Sequence, residues 1–112
     1  MKPELVEKMS HDPWFLDRLE WEKENNPRLV ERLIQNPLKL KEYLSRKVYQ
    51  GNMLARKLAL GGMEDQEAVD RAFEEIISPP GPENPPDPPL SPDLEKKIDD
   101  WVESLYDPDR KG

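Results

Sequence analysis

Three dipeptides in which Asp or Asn precedes Pro, each followed by a cluster of apolar residues, divide the first half of this chain. They are Asp12-Pro13, Asn26-Pro27 and Asn36-Pro37, and Lys2-Pro3 begins a weaker fourth copy. An Asp or Asn side chain accepts hydrogen bonds from the free amides of a first helical turn, and Pro fits the first helical position without losing a bond. The residue before Pro is driven out of the α region, so each dipeptide also ends the helix before it. The repeat therefore predicts a series of short helices.

Helix boundaries follow from these dipeptides and from glycine. The predicted helices span residues 3–9, 13–24, 27–35 and 37–60. The last of them is predicted to end at Gly61-Gly62 and to have a weak point at Gly51. A further helix is predicted over residues 64–77, because the apolar residues of this segment fall on one helical face. They are Ala68, Val69, Ala72, Phe73, Ile76 and Ile77.

Residues 79–90 are dense in proline, a composition that favours extended polyproline II structure and buries too little apolar surface to fold. We predict a semi-rigid linker there, whose PxxP spacing also fits a ligand for an aromatic groove. Beyond it, Ser91-Pro92 supplies a cap and a first-turn proline, which predict an amphipathic helix over residues 91–106. Residues 107–112 are predicted to be a disordered end.

The composition limits the core that these helices can share. Of 112 residues, 35% are hydrophobic and 37% are charged, which provides apolar side chains for one thin core between amphipathic helices. The expected fold class is all-α. It comprises a bundle of short Pro-initiated helices over residues 1–78, then the Pro-rich linker and the C-terminal amphipathic helix.

Charge is distributed unevenly along the chain, whose formal net charge is −7. Residues 79–112 hold nine acids and four bases, whereas residues 38–60 hold six bases and the single acid Glu42. A charge run of this kind is typical of a solvated helix face. It also offers an acidic helix a complementary surface at high effective concentration. One hypothesis is therefore that the C-terminal helix docks on its own body.

No set of residues predicts catalysis. The chain lacks cysteine, and His11, its one histidine, has no partner at the spacing of a catalytic triad or a metal site. Gly61-Gly62 lacks the Lys and the Ser or Thr of a phosphate loop, and no acidic calcium loop occurs. We therefore expect a protein that is not an enzyme and that uses no metal or cofactor.

Signals for nucleic acid and for membrane are weak as well. Trp14, Phe15 and Trp21 lie among acidic residues that would repel phosphate, which favours core packing over base stacking. The N-terminal residues carry no apolar run of signal-peptide length, and no run in the chain is long enough to cross a bilayer. We expect a cytoplasmic protein without a membrane span, and nucleic acid is not the expected partner.

The first half of the chain contains the segments DPWFLDRL, NPRLVERLIQNP and LKLKEYL. From Pro3 onward, the prolines that start the helices stand ten, fourteen and ten residues apart. These segments and this spacing resemble the STI1-type, or DP, repeat domain of co-chaperones and ubiquitin-receptor proteins. Domains of that family are bundles of short helices whose apolar faces leave an open groove for hydrophobic helical segments of client proteins. The resemblance implies apolar groove residues in this chain. The matching positions are Phe15, Leu16, Leu19, Leu29, Val30, Leu33, Leu40, Tyr43 and Leu44.

These patterns favour a non-enzymatic protein-binding adaptor. Its helical domain would offer a groove to an apolar or amphipathic helix of another protein, or to its own C-terminal helix. The C-terminal helix has an acidic side and an apolar stripe, and the stripe would supply most of the affinity, with Trp101 as its anchor. The stripe consists of Leu94, Ile98, Trp101, Val102 and Leu105.

Two alternatives remain open. The segments KENNPRLVERLI and KLKEYL, together with Met63, are similar to the TnpV-like small proteins of bacterial transposons, which implies a mobile-element origin. One alternative is therefore an accessory or regulatory protein that binds nucleic acid through the basic helix. The other is a structural subunit whose apolar stripes are buried in an oligomer.

Overall fold

The computed structural model describes residues 2–81 and 88–106, which form helices joined by turns and include no strand. The predicted all-α fold class is confirmed. Residues 82–87 of the predicted linker and the predicted disordered end, 107–112, lie outside the described residues. The helices are α1 (Pro3–Ser10), α2 (Pro13–Asn25), α3 (Pro27–Leu33), α4 (Pro37–Leu60), α5 (Asp65–Ala72) and α6 (Pro92–Tyr106).

Proline occupies the first turn of α1, α2, α3 and α4, as the sequence predicts, but the capping side chains behave differently from one another. Asp12 Oδ1 accepts a hydrogen bond from the Trp14 amide at 2.9 Å. Asn26 and Asn36 make no such bond, so the capping prediction is wrong for both. The Asn26 side chain instead donates to Glu22 Oε2 at 3.4 Å, in the preceding helix. These two helices therefore begin at proline without a side-chain cap.

Glycine ends α4 as the sequence predicts. Gly62 has a φ of 106°, in the left-handed region that favours glycine. Its amide donates to the Ala59 carbonyl, and the Met63 amide donates to the Leu58 carbonyl, each at 3.1 Å. These two bonds form a Schellman motif, which satisfies carbonyls that the last helical turn leaves free. By contrast, α3 ends two residues before its predicted end, in a turn that leads to the next proline.

The longest helix, α4, is the central one, and the other elements pack along it. Its first half packs against α1. The next helix, α2, runs antiparallel to α4, since Trp14 lies near Gly51 and Glu22 lies near Tyr43. After the glycine turn, α5 returns along α4 and continues as a single π-helical turn, Phe73–Ile77.

Gly51 does not loosen α4, which is continuous through this position, so the predicted weak point is wrong. A Cβ atom there would lie 3.0 Å from Ile77 Cδ1 and 3.1 Å from the Trp14 ring. Both distances are shorter than ordinary van der Waals contact, so a larger residue would push these neighbours away. Glycine at this position lets α2 and the π-helical turn approach α4 closely.

One apolar cluster forms the main core, between α1, α2, α3, α4 and α6. Its buried members are Met9, Phe15, Leu19, Val30, Ile34, Leu40, Leu44, Val48 and Ile98. The predicted stripe of α5 is largely buried too, through Ala68, Ala72 and Ile77, although Val69 is 40% exposed. The smallest extent of the molecule is 20 Å, about two helix diameters, so its helices lie in two layers. None of the described helices has the length and apolar character needed to cross a membrane.

Candidate functional site

Apolar side chains from α2, α3 and α4 come together in the buried apolar cluster, and we call this set of side chains the groove. Phe15 and Leu19 come from α2, Val30 comes from α3, and Leu40 and Leu44 come from α4; each is at most 2% exposed. The two residues from α2 stand four positions apart, as do the two from α4. That spacing places each pair on one side of its helix.

The apolar stripe of α6 packs against the groove. Ile98 has no exposed surface and belongs to the same apolar cluster as the groove residues. Trp101 lies against Phe15, with ring centroids 6.2 Å apart and ring planes at 49°. The rest of the predicted stripe is partly buried against the cluster and consists of Leu94, Val102 and Leu105. The structure therefore brings the predicted stripe together with the predicted groove inside a single chain.

Polar contacts join both ends of α6 to the body. Near the start of α6, the Glu95 carboxylate lies 3.8 Å from Lys23 Nζ on α2. At its end, the Tyr106 hydroxyl donates to the Ser10 carbonyl, and the Tyr106 ring meets the His11 ring edge-on with centroids 5.5 Å apart. Because the start of α6 lies beside the end of α2 and its end lies before the start of α2, the two helices are antiparallel.

Among the ion pairs described in the structure, none shows the charge complementarity between α6 and α4 that the sequence pattern indicates. The ion pair described between α6 and the body is with Lys23 of α2 and not with the basic helix α4. Two of the α4 bases instead have other partners, since Lys41 pairs with Glu7 of α1 and Arg46 pairs with Glu42 of the same helix at 3.0 Å. The docking of α6 therefore rests mainly on its apolar stripe.

Two of the predicted groove residues lie outside the apolar cluster. Leu16 is 38% exposed, because it follows Phe15 on α2 and adjacent helical residues point about 100° apart. Leu29 is only half-buried and precedes the buried Val30 in the same way. The two remaining predicted residues, Leu33 and Tyr43, are half-buried and pack against the cluster. Only the structure separates these three groups.

A buried ion pair, not predicted from the sequence, lies on α2 beside the groove. Arg18 Nη2 is 2.7 Å from Glu22 Oε1, and the two side chains are 7% and 0% exposed. The Tyr43 hydroxyl donates to the same carboxylate oxygen at 3.2 Å. The only signal in the sequence is the i, i+4 spacing of Arg18 and Glu22, which also occurs on solvated helix faces.

Arg18 also connects α2 to the end of the π-helical turn. Its Nη1 donates to the Ile76 carbonyl at 2.8 Å and lies 3.4 Å from the Ile77 carbonyl. Its guanidinium lies 4.1 Å from the centroid of the Trp21 ring, a cation–π contact. The Trp21 indole in turn donates to the Pro79 carbonyl at 2.7 Å. These bonds fix the point at which the chain leaves the body toward α6.

Two tyrosine hydroxyls beside the groove are held in the neutral form. Burial raises the pKa of the Tyr43 phenol above its ordinary value of 10.0, and the neighbouring Glu22 carboxylate raises it further, while Arg18 acts in the opposite direction. Burial likewise raises the pKa of Tyr106, with a smaller contribution from Asp12. Both phenols therefore remain hydrogen-bond donors throughout the physiological pH range.

Comparisons with known proteins give no indication of function. No protein-family model, curated protein or solved structure matches the chain. The resemblances to DP repeat domains and to TnpV-like proteins therefore stay predictions. Within the part of the chain that the structure describes, no group of three or more His, Asp or Glu side chains is arranged to hold a metal ion.

Proposed function

We propose that this chain is a non-enzymatic adaptor that binds an amphipathic helix of another protein in the groove, with α6 as the resting occupant. The observation that supports the proposal is the position of Ile98, which is fully buried within the groove cluster. The α6 stripe follows the i, i+4, i+7 spacing by which amphipathic helices occupy apolar grooves. A partner helix with the same spacing would place its apolar residues in the same positions.

The contacts of α6 suit an occupant that can be exchanged. Ile98 is the one α6 residue that is fully buried, whereas the other stripe residues keep some exposed surface. Complete burial of one such side chain stabilises the docked state by about 1.5–3 kcal/mol. The covalent connection raises the effective concentration of α6 to the order of millimolar. A partner helix must therefore compete with α6. Because of this competition, a helix of low affinity would not occupy the groove.

Competition by a peptide tests this proposal. The probe is a fluorescein-labelled peptide with the sequence of residues 90–106, titrated into the full-length chain and into its I98A/W101A variant. Truncating both anchors weakens the resting occupant, so the variant should bind the peptide about tenfold or more tightly than the wild-type chain does. Near-ultraviolet circular dichroism of Trp14 and Trp21 checks that the body of the variant stays folded.

The matched control is the D99A/D100A variant, since both carboxylates lie exposed on α6 and two residues are again replaced. It should bind the peptide no more tightly than the wild-type chain. A peptide in which Asp replaces Ile98 should bind neither the wild-type chain nor the I98A/W101A variant, because its carboxylate would enter the apolar cluster. Absence of binding to a folded I98A/W101A chain would contradict the proposal.

A further inference from the structure

The second half of α4 carries an apolar surface that lies outside the groove. Leu60 is 83% exposed and Met53 is 46% exposed, although both are large apolar residues. Together with Leu54, Arg56 and Lys57 they line a shallow depression of about 410 Å³, which we call the basic patch. None of the residues that line it belongs to α6 or to the groove.

The charge of this half-helix is of one sign. From residue 43 to residue 60 the chain holds four bases and no acid, within a chain whose formal net charge is −7. Arg56 and Lys57 are exposed, and no ion pair or hydrogen bond of either side chain is described in the structure. Two cations without a partner among the described residues therefore border an exposed apolar depression.

We propose that the basic patch docks an acidic amphipathic helix of another protein. An apolar side chain of that helix would enter the depression between Met53 and Leu60, and its carboxylates would face Arg56 and Lys57. This site is distinct from the groove and does not depend on release of α6. The chain would then hold two helix-binding surfaces with different charge preferences.

The other candidate occupants fit the patch less well. A symmetric contact with a second copy of this chain would bring Arg56 and Lys57 of the two copies to the same interface, where like charges repel. An anionic bilayer or a nucleic acid is an extended charged surface, so the net negative charge of the chain would oppose it. A short acidic helix needs to contact only the patch.

A designed peptide probes the basic patch directly. The probe is a labelled helical peptide of about fifteen residues with leucine on one face and glutamate elsewhere, titrated into the full-length chain at about 0.15 M salt, where the Debye length is about 8 Å. Its matched peptide has lysine in place of every glutamate and should not bind. The R56E/K57E variant should bind the acidic peptide about tenfold more weakly than the wild-type chain, and L60S should weaken binding as well.

The control variant is K39E/R46E, which reverses two bases on the same helix but away from the patch. Its affinity should stay within about twofold of the wild-type value, since charges beyond a Debye length are largely screened. Equal weakening by the two double variants, or no binding of the acidic peptide, would overturn the proposal. Vesicles of phosphatidylserine or single-stranded RNA that bind through Arg56 and Lys57 while the peptide does not would also overturn it.

Discussion

Arg18 shows how one buried side chain can position a second element of the fold. The last carbonyls of a helix have no partner within that helix, and Arg18 donates to two of them, at Ile76 and Ile77. A positive charge at this end is also favourable because carbonyl oxygens point toward it. The cost of removing Arg18 and Glu22 from water is offset by these bonds and by their ion pair.

Replacement of Arg18 by Met should lower the free energy of unfolding by about 3–5 kcal/mol, because Glu22 would remain as an unpaired buried charge. The R18M/E22Q double variant should recover part of this loss. Urea unfolding measures both. The matched control is Arg46→Met, which breaks an exposed i, i+4 pair with Glu42 and should cost about 0–1 kcal/mol. Equal effects of R18M and R46M would contradict this account.

The raised pKa of Tyr43 predicts a loss of stability at high pH. Since the folded state favours the neutral phenol, the stability is complete below the ordinary pKa of 10.0 and falls as the pH rises through the higher folded pKa. In Tyr43→Phe the free energy of unfolding should therefore fall less steeply above about pH 10 than in the wild-type chain. Urea unfolding across this range measures the slope. Tyr106→Phe should remove a separate part of this pH dependence. Identical slopes in the wild-type chain and in both variants would contradict the prediction.

At the scale of helices, proline and the capping side chain act separately. All four Pro-initiated helices of the body begin where proline places them, yet only the side chain of Asp12 is seen to accept from a first-turn amide. Outside the body, Ser91 Oγ accepts from the Leu94 amide at 3.3 Å at the start of α6. Proline thus defines the boundary, and the cap adds stability where its geometry permits.

Asp12→Ala should therefore lower the free energy of unfolding by about 1 kcal/mol, because the Trp14 amide loses its acceptor. Asn36→Ala, at the equivalent position before α4, should change it by a few tenths of a kcal/mol at most, since Asn36 makes no capping bond. Thermal or urea unfolding of the two variants distinguishes these outcomes. A larger loss in N36A than in D12A would show that the assignment of the cap is wrong.

At the scale of the whole molecule, its thickness limits how much of each helix surface can be buried. With a smallest extent of 20 Å the body has two helical layers, so even a central helix such as α4 keeps one side facing solvent. The apolar cluster is nevertheless completed by α6 of the same chain. The second half of α4, near the glycine turn, is left with Met53 and Leu60 exposed.

Because its own α6 completes the cluster, the chain should be a monomer from about micromolar to about hundred-micromolar concentration. Sedimentation velocity gives the mass, and Trp101 fluorescence in a W14F/W21F background should have the same emission maximum across this range. A dimer whose dissociation shifts the Trp101 emission would indicate that α6 docks on a neighbouring copy. That result would favour the oligomeric alternative over the adaptor.

The sequence by itself determined where the Pro-initiated helices begin and where α4 ends. Pro at a first turn and Gly at a last turn act within a few residues, so the bounds of α4 and the start of every Pro-initiated helix could be predicted. The apolar stripe of α6 is equally local, because its spacing follows from helical geometry. The groove positions came instead from the resemblance to DP repeat domains, and the sequence did not show which of them are buried in the apolar cluster.

Only the tertiary structure decided how these elements combine. The burial of Arg18 and Glu22, the outward position of Leu16 and the need for Gly51 depend on neighbours that are distant in sequence. Likewise, α6 lies along α2 and not against the basic charges of α4, because burying Ile98 removes apolar surface from water, whereas pairing exposed charges gains little. Local sequence signals determine the helices of this fold, and burial of residues that are distant in sequence determines how the helices pack.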